Sequence, residues 1–411
     1  MFSIHPFRAL RPKPELAAEV SSLPYDVMNR EEALKMAEGK PNSYLRITRA
    51  EIELPKEDPH SEAVYEHARL NLKKMEREGI IFQDKDPYFY VYRQTMDGRE
   101  QYGLVACVRA EDYFKGTIKK HELTRADKEE DRLRHILVTG AQTGPVFLTY
   151  RDKGQFALLK PIIKNTPIYD FVTEDGIGHT VWVVDDENTI ERLRISFASL
   201  PCVYIADGHH RSAAGARAAE RRAKLNPQNK GNEEYSRFLA ILFPSSQLRI
   251  LDYNRLVKDL NGKSAEEFLD ALSKICDISE LPGATAPEAP KRFSLYIKGL
   301  WYKCVFKEKY SQRKHPVDNL DVSILQSMVL NPLLGIEDPR TSKRIDFVGG
   351  IRGLGELQAR VDSGDYAVAF AMFPTSLDEL MDIADAGEIM PPKSTWFEPK
   401  LRDGLLVHLL E

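Results

Sequence analysis

Cysteine is scarce in this sequence. Only four of the 411 residues are cysteine, and no two of them form a Cys-x-x-Cys pair. This scarcity argues against a disulfide-based fold or a cysteine-ligated zinc site, and it predicts reduced thiols. Long apolar runs are also missing, because no segment approaches the roughly 20 residues that span a bilayer. The amino-terminal residues contain no apolar signal core, so we expect a cytoplasmic protein without a membrane partner.

Neither sign of charge dominates the chain. It has 58 basic and 62 acidic side chains, for a formal net charge of -4, and 42% of its residues are hydrophobic. Domains that bind nucleic acid broadly are typically strongly basic, so a nucleic-acid partner is not expected, although a local basic site is still compatible with this balance. The composition indicates an ordinary globular protein and says nothing about its oligomeric state.

Several well-known site motifs are absent. The glycines of VGGIRGLGEL (348–357) do not match the dinucleotide-binding pattern, and no Walker A spacing precedes the Lys-Ser-Thr at 393–395. Neither His-x-x-x-His nor His-Glu-x-x-His occurs, so no helical zinc motif is predicted. The candidate functional residues therefore belong to less common groupings of side chains.

Hairpin and helix patterns alternate along the chain and predict an α+β protein with mixed sheets. Asp97-Gly98 between two β-prone runs predicts a hairpin. The segment that ends at Gly79 predicts an amphipathic helix. Its expected inner residues are Ala63, Tyr65, His67, Leu70 and Leu72. We expect an amino-terminal α+β region (1–105), a central region (106–243) and a carboxy-terminal α/β region (244–411).

The segment CVYIADGHHRSAAGARAAERR (202–222) has the strongest chemical character. A strand-like run ends at Asp207, and a helical pattern of small residues follows Gly208. A helix that begins there presents N–H groups without intrahelical partners and the positive end of its dipole. Glycine at the turn lets a ligand approach the backbone. These features predict a site for an anionic, phosphorylated ligand.

The side chains of this turn suit the same ligand. Arg211 offers a planar fork of donors that matches phosphate oxygens, and His209 and His210 can donate to phosphate or transfer protons. Asp207 could hold Mg²⁺ against a phosphate or orient a histidine. In the alternative interpretation, Asp207 caps the helix, Arg211 forms a surface ion pair and the histidines pack in the core.

A second group of polar residues lies in KKHELTRADKEEDR (119–132). Glu122 is our candidate for a general base that accepts a proton from a hydroxyl nucleophile. His121, Asp131 and Arg132 are possible supporting residues. The alternative is a solvated run of charges at the start of a helix. Nearer the amino terminus, Asp26 either acts at a site or caps the following helix, and the cap is favoured.

A third group lies in MPPKSTWFEPKL (390–401), where two prolines stiffen the approach to Lys393, Ser394 and Thr395. These three residues are predicted to form a strap that reaches the phosphates bound at the Asp207–Arg211 turn. The alternative is a docking strap with Trp396 buried. Glu398 and Lys400 belong to the same strap and receive no assigned role.

The chain as a whole resembles the prokaryotic domain-of-unknown-function family number 1015. The similarity extends nearly end to end. It rests on PFRALRPKPELAAEVSSLPYDV, NSYLRITRAEIELP, KKHELTRADKEEDRLRHI, TEDGIGHTVWVV, YIADGHHRSAAGA and MPPKSTWFEPKLRDGLLVH. The family name implies no activity.

The Asp-Gly-His-His-Arg turn by itself resembles that of ParB/sulfiredoxin-type nucleotide-binding domains, and in particular that of free-serine kinases. This second resemblance implies a ParB/sulfiredoxin-like central portion, with ATP or ADP and Mg²⁺ as ligands and free L-serine as a substrate. We therefore expect a nucleotide-dependent phosphotransferase that acts on a small hydroxyl metabolite. The alternatives are a non-catalytic nucleotide-binding regulatory protein and a phosphodiesterase or nuclease that uses the histidines.

Overall fold

The computed structural model describes residues 1–411 and divides them into two compact units. The first unit comprises residues 1–248 together with 399–411, and the second comprises 249–398. The second unit thus begins close to the expected boundary at residue 244. Residues 399–411, which were expected in the carboxy-terminal region, belong to the first unit instead.

Strands of the first unit form one large mixed sheet and smaller pairs. They are β1 (Ile4–His5), β2 (Leu10–Pro12), β3 (Ile81–Gln83), β4 (Phe89–Met96), β5 (Arg99–Arg109), β6 (Ile118–Lys119), β7 (Ala141–Gln142), β8 (Val146–Tyr150), β9 (Tyr169–Val172), β10 (Gly178–Val184), β11 (Val203–Asp207) and β12 (Arg237–Pro244). The large sheet has the order β6-β11-β8-β12-β5-β4-β10-β9, and β1 pairs with β5. Residues 1–105 and 106–243, expected to be separate regions, share this sheet because β5 extends across their boundary.

The hairpin between β4 and β5 has the predicted turn. Met96 pairs with Arg99, and both intervening residues have positive φ, 51° at Asp97 and 75° at Gly98. Two left-handed residues give a turn whose twist matches the twist of the strands, and Asp-Gly tolerates that conformation well. The local sequence is therefore sufficient to explain the register of the two central strands.

Helices of the first unit pack on this sheet and on one another. They are α1 (Ala17–Val20), α2 (Arg30–Ala37), α3 (Leu45–Thr48), α4 (Glu62–Arg77), α5 (Ala110–Phe114), α6 (Ala126–Thr139), α7 (Glu187–Ala198) and α8 (His209–Leu225). The α8 helix has nine buried residues, which include five alanines and Gly215, and these small residues allow close approach to the sheet. A β-carbon on Gly215 would lie 3.0 Å from Cβ of Phe238, so larger residues would push the helix off β12.

The second unit contains a six-stranded sheet and a short pair. Its strands are β13 (Ile250–Leu251), β14 (Tyr253–Val257), β15 (Cys276–Leu281), β16 (Arg292–Ile297), β17 (Leu300–Phe306), β18 (Ile345–Gly349), β19 (Val368–Met372) and β20 (Trp396–Phe397). The sheet has the order β15-β17-β16-β19-β14-β18, and every pairing is antiparallel. This unit is therefore α+β, not the α/β arrangement that we expected for residues 244–411.

Helices of the second unit are α9 (Ala265–Ser273), α10 (Glu308–Ser311), α11 (Asp321–Leu325), α12 (Gly353–Asp362) and α13 (Leu377–Asp385). A π-helical turn, Gln326–Leu330, continues α11. Ser264 and Ser376 form capping boxes with Glu267 and Glu379, which explains where α9 and α13 begin. No helix in either unit combines the length and the apolar character that crossing a bilayer requires.

The final residues of the chain return to the first unit. Strand β21 (His408–Leu409) pairs with β7, and Asp403 forms an isolated bridge with Ser22. Gln94 of β4 donates through Nε2 to the carbonyl of Lys400, at 2.8 Å. These contacts hold residues 400–403 beside the elements that carry the Asp-Gly-His-His-Arg turn.

Candidate functional site

The predicted strand–turn–helix is confirmed between β11 and α8. Strand β11 ends at Asp207, Gly208 has φ of 86°, and α8 begins at His209 without a side-chain cap. An L-residue with a side chain adopts this φ only with strain, so glycine is needed for the abrupt change of direction. The first N–H groups of a 17-residue helix thus have no side-chain partner at the turn.

Strand topology brings the second polar group to the same place. Strands β6 and β11 are parallel neighbours, with Tyr204 opposite Lys119. Residues that follow the carboxyl ends of two parallel strands leave the sheet at the same edge. His121 and Glu122 therefore lie beside His209, although the sequence separates the two groups widely.

Asp207 does not cap α8. One carboxylate oxygen, Oδ1, accepts the N–H of Gly208 at 2.7 Å, and Oδ2 accepts Nζ of Lys400 at 3.0 Å. Burial alone would raise the pKa of Asp207, but Lys400 and Arg211 hold it below its usual range. The carboxyl group is therefore ionised and already paired with a cation.

Sequence analysis did not connect Lys400 with the turn, since only the return of the chain to the first unit brings them together. The pairing also bears on Mg²⁺, which was predicted to bind Asp207. An ion at this carboxylate would have to share or displace Lys400. Mg²⁺ at Asp207 therefore stays a prediction.

The side chain of Arg211 is buried, with only 8% of its surface exposed. Its Nη1 donates to the carbonyl of Pro145 at 2.7 Å, while Nε has no hydrogen-bond partner. Burial would lower the pKa of this guanidinium, but Asp26, Asp403 and Asp207 raise it. Arg211 is thus a buried, permanently charged group with one donor still unused, not a surface ion pair.

A narrow cavity of about 30 Å³ lies against Arg211. Other lining residues include Tyr25, Arg132, Gly144 and Asp403. The guanidinium of Arg132 lies 4.0 Å above the ring of Tyr25. A cavity of this size holds one or two water molecules. A nucleotide is far larger, so it cannot be enclosed in the cavity of this conformation.

Asp131 positions Arg132. The carboxylate of Asp131 accepts from Tyr65 Oη at 2.7 Å, and its Oδ1 lies 2.8 Å from His60 Nδ1. Its other oxygen accepts from Arg132 Nε at 2.8 Å. Burial would raise the pKa of Asp131, but Arg132, Tyr65 and His60 lower it to about 2. Asp131 therefore acts through Arg132, while Arg132 itself faces the cavity with Arg211.

Asp403 is a buried acid that sequence analysis did not identify. The residue is 1% exposed, and its Oδ1 has no hydrogen-bond partner. Burial raises the pKa of Asp403 to about 7, although the neighbouring Arg211 lowers it. A β-carbon on Gly144 would lie 2.5 Å from this Oδ1, so glycine is required there for the acid to fit.

The two histidines of the turn differ in their surroundings. Burial lowers the pKa of both below the usual range. His210 is half-buried, and its Nε2 accepts the N–H of Arg125 at 3.0 Å. An accepting Nε2 carries no proton, so Nδ1 of the neutral ring is the N–H donor. The remaining histidine, His209, is 5% exposed and its Nε2 has no partner.

His209 packs against His121 with perpendicular rings and a centroid separation of 4.4 Å. His121 is 2% exposed, and neither ring nitrogen has a hydrogen-bond partner. Glu122 is half-exposed, and its Oε2 lies 3.8 Å from Nδ1 of His209. The two predicted residues His121 and Glu122 thus lie at the turn.

Asp26 does not cap the next helix. Asn29 accepts the N–H of Glu32 and forms the capping box of α2, so the favoured role for Asp26 is wrong. Asp26 is exposed, and its charge acts on both His210 and Arg211. The pattern Asp-x-x-Asn is ambiguous in sequence, because both residues are favourable N-caps. The backbone conformation at the start of the helix determines which of them is the cap.

Lys393, Ser394 and Thr395 lie in the second unit. Lys393 has φ of 59°, its carbonyl accepts from Arg255, and its Nζ lies 5.4 Å from the ring centre of Tyr253. Ser394 is buried and donates its hydroxyl proton to the carbonyl of Pro391 at 2.6 Å. Local packing therefore accounts for Ser394, and a role for the three residues at the phosphates stays a prediction.

The family resemblance is confirmed. A family model described as "Protein of unknown function (DUF1015)" matches residues 4–323, so the chain belongs to that family. No curated protein matches the chain.

Solved structures that resemble the chain include a free serine kinase in complex with AMP, at 13% identity and a TM-score of 0.35, covering 74% of this chain and 91% of that one. A conserved hypothetical protein from Pyrococcus furiosus matches at 14% identity and a TM-score of 0.36, covering 74% and 95%. SbnI with a C-terminal truncation from Staphylococcus aureus matches at 11% identity and a TM-score of 0.38, covering 74% and 87%.

Proposed function

We propose that this member of the DUF1015 family is a nucleotide-dependent phosphotransferase that acts on a small hydroxyl metabolite. The observation that carries the proposal is the turn at Gly208, where an uncapped helix begins beside the buried guanidinium of Arg211. Free N–H groups and the helix dipole favour a bound phosphate at this point. The unused Nε of Arg211 is a further donor at the turn.

Charge around the turn suits phosphoryl transfer. Lys400 and Arg211 both lie next to Asp207 and can neutralise the charge of a phosphate chain. Phosphoryl transfer requires mainly positioning and charge neutralisation, so cations fixed by neighbouring carboxylates are a suitable arrangement. Asp207 keeps Lys400 in place and so acts on the phosphates through that ammonium group.

Glu122 is the group to which we assign the acceptor proton. The acceptor hydroxyl oxygen forms a bond to the terminal phosphorus, and the bond from that phosphorus to the bridging oxygen of the nucleotide breaks. The hydroxyl proton passes to the Glu122 carboxylate, and the shortened nucleotide leaves. His210 presents its Nδ1–H as a donor, which suits a phosphate oxygen better than the role of base.

The donor nucleotide is ATP or ADP, and the first acceptor to test is free L-serine. The choice of serine rests on the resemblance of Asp-Gly-His-His-Arg to the turn of free-serine kinases. Because the cavity beside Arg211 is small, the nucleotide lies outside it, over the turn. The side chains of Glu122 and Lys400 flank that position.

The test is a product screen by mass spectrometry. Purified full-length protein is incubated with Mg²⁺, with ATP or ADP, and with L-serine or a panel of hydroxyl metabolites. We expect one phosphorylated product, together with ADP from ATP or AMP from ADP. Asp207→Asn should abolish its formation, while Asp86→Asn, at an exposed position just before β4, should not.

Two outcomes would overturn the proposal. If nucleotide binds but nothing is phosphorylated or hydrolysed, the protein is a nucleotide-binding protein without transferase activity. If phosphodiesters are hydrolysed and no hydroxyl is phosphorylated, the histidines serve hydrolysis instead.

A further inference from the structure

His121, His209 and Glu122 form a cluster whose donor atoms all lie within 4.8 Å of one another. The cluster combines two buried imidazoles with one half-exposed carboxylate. Hydrogen bonding does not account for the burial of the two imidazoles, because three of their four ring nitrogens are buried without a partner. Buried polar atoms without partners are rare, since each one costs about 1–3 kcal/mol.

We propose that these three side chains bind a divalent first-row transition metal ion, with Zn²⁺ as the best match. Imidazole and carboxylate ligands in this ratio are typical of zinc sites that keep a fourth position open. Mg²⁺ is a poor match because it prefers oxygen ligands. The site is separate from the Mg²⁺ predicted at Asp207, and the proposal does not depend on phosphotransferase activity.

The dimensions of the cluster allow such an ion. Tetrahedral ligands about 2.0–2.2 Å from zinc are separated from one another by about 3.3–3.6 Å. Oε2 of Glu122 already lies 3.8 Å from Nδ1 of His209. All three ligand atoms lie within 4.8 Å of one another, so an ion between them requires small side-chain adjustments, and the half-exposed Glu122 side chain has room to move. The open side of the site faces solvent, where this carboxylate lies.

Both imidazoles can supply a ligand atom. His121 is 2% exposed and His209 is 5% exposed, and each has a buried ring nitrogen without a hydrogen-bond partner. A neutral ring has one nitrogen with a free lone pair, as metal coordination requires.

The ion would also change the role of Glu122. A carboxylate that binds a metal ion is a poor proton acceptor, so Glu122 can serve as the base only while the cluster is empty. Metal loading should therefore slow phosphoryl transfer in a protein that carries out that reaction. Binding is measured without nucleotide, so a failure of transferase activity and a failure of metal binding are observed separately.

The experiment uses full-length protein freed of metal with EDTA and then titrated with Co²⁺. Visible absorption of Co²⁺ reports coordination by fewer than six ligands. We expect saturation at one Co²⁺ per chain. Zn²⁺ should displace the Co²⁺, whereas Mg²⁺ at the same concentration should not. Glu122→Gln should weaken binding at least about tenfold. Because Glu122 is half-exposed, we expect this variant to fold, and circular dichroism checks folding for every variant.

His121→Gln and His209→Gln should each abolish the Co²⁺ spectrum. The matched control is His67→Gln, because His67 pairs with Glu53 at 2.7 Å on the same unit without a second histidine. This variant should bind Co²⁺ like the parent. The proposal is overturned if the parent binds no stoichiometric Co²⁺ or Zn²⁺. It is also overturned if Glu122→Gln, His121→Gln and His209→Gln bind with the affinity of the parent, which would place the ion elsewhere.

Discussion

Nζ of Lys400 lies 3.0 Å from Oδ2 of Asp207, although 193 positions separate the two residues in the chain. The pair joins the last segment of the first unit to the end of β11. Both side chains are more than two-thirds buried. A charge in such a place needs its partner, because removing one member leaves the other poorly solvated.

Lys400→Met should therefore destabilise the protein by about 2 kcal/mol. Asp207→Asn in the same chain should restore part of that loss, since no unpaired carboxylate is left. Chemical denaturation of the parent, both single variants and the double variant measures the coupling. Additive effects of the two substitutions would show that the ion pair contributes nothing.

Arg211→Ala should remove most of the rise in melting temperature that a saturating nucleotide causes in the parent. A ligand that binds only the folded state raises the melting temperature, and Arg211 is proposed to contact its phosphates. Arg211→Lys keeps the charge but loses the fork, so it should retain only part of the shift. Thermal unfolding with and without ATP or ADP measures this. An equal shift in the parent and in both variants would show that Arg211 does not contact the phosphates.

Gly208→Ala should impair nucleotide binding as well as stability. Positive φ costs an alanine about 1–2 kcal/mol, and the new β-carbon would lie 3.2 Å from Nε of Arg211. Gly116 is the matched control, because its φ is 72° and a β-carbon there would meet nothing within 4 Å. Both variants should lose similar stability, and only Gly208→Ala should reduce the nucleotide-dependent shift. A reduced shift in Gly116→Ala would point to general destabilisation.

Glu122→Gln should slow phosphoryl transfer on the order of 100-fold and leave nucleotide affinity nearly unchanged, since a base acts only as the proton moves. Single-turnover measurement on metal-free protein, with Mg²⁺ added alongside the nucleotide, separates this effect from zinc binding. Glu111→Gln is a suitable control, because Glu111 is an exposed residue that pairs with Lys115. Unchanged turnover in Glu122→Gln would place the base elsewhere.

Asp403 should make stability depend on pH. Its pKa is about 7 in the folded protein, against about 3.9 for an unperturbed aspartate. The folded state therefore holds this proton over a range in which the unfolded chain loses it. The free energy of unfolding should fall as the pH rises from about 4 to about 7, by at most about 4 kcal/mol.

Asp403→Asn should remove this dependence, because an amide resembles the protonated acid and does not titrate. Charged groups that act on Asp403 are Arg211, Asp26, Arg132 and Arg402, and none of them is altered in the variant. Denaturation curves of both proteins at several pH values measure the difference. Parallel pH profiles would show that folding does not raise the pKa of Asp403.

The helix α4 shows which structural properties a hydrophobic pattern predicts and which it does not. Its existence and its end near Gly79 were predicted correctly, but Ala63 and Leu70, both expected inside, are exposed. The buried residues are Val64, Tyr65, Ala68, Leu72 and Met75. Hydrophobic periodicity fits more than one stripe of a helix, and the packing partners decide which stripe is buried.

The site shows the same division between local and distant effects. The sequence by itself determined the strand–turn–helix at Gly208, because a β-prone run, a glycine and a run of small helix formers act over a few residues. It also determined the Asp97-Gly98 hairpin, where backbone conformation and register are local properties. Tertiary structure alone decided that Lys400 pairs with Asp207, that Asp403 is buried near Arg211, and that His121 packs on His209. Such contacts depend on strand order and on the return of residues 399–411 to the first unit, and no short-range pattern encodes either.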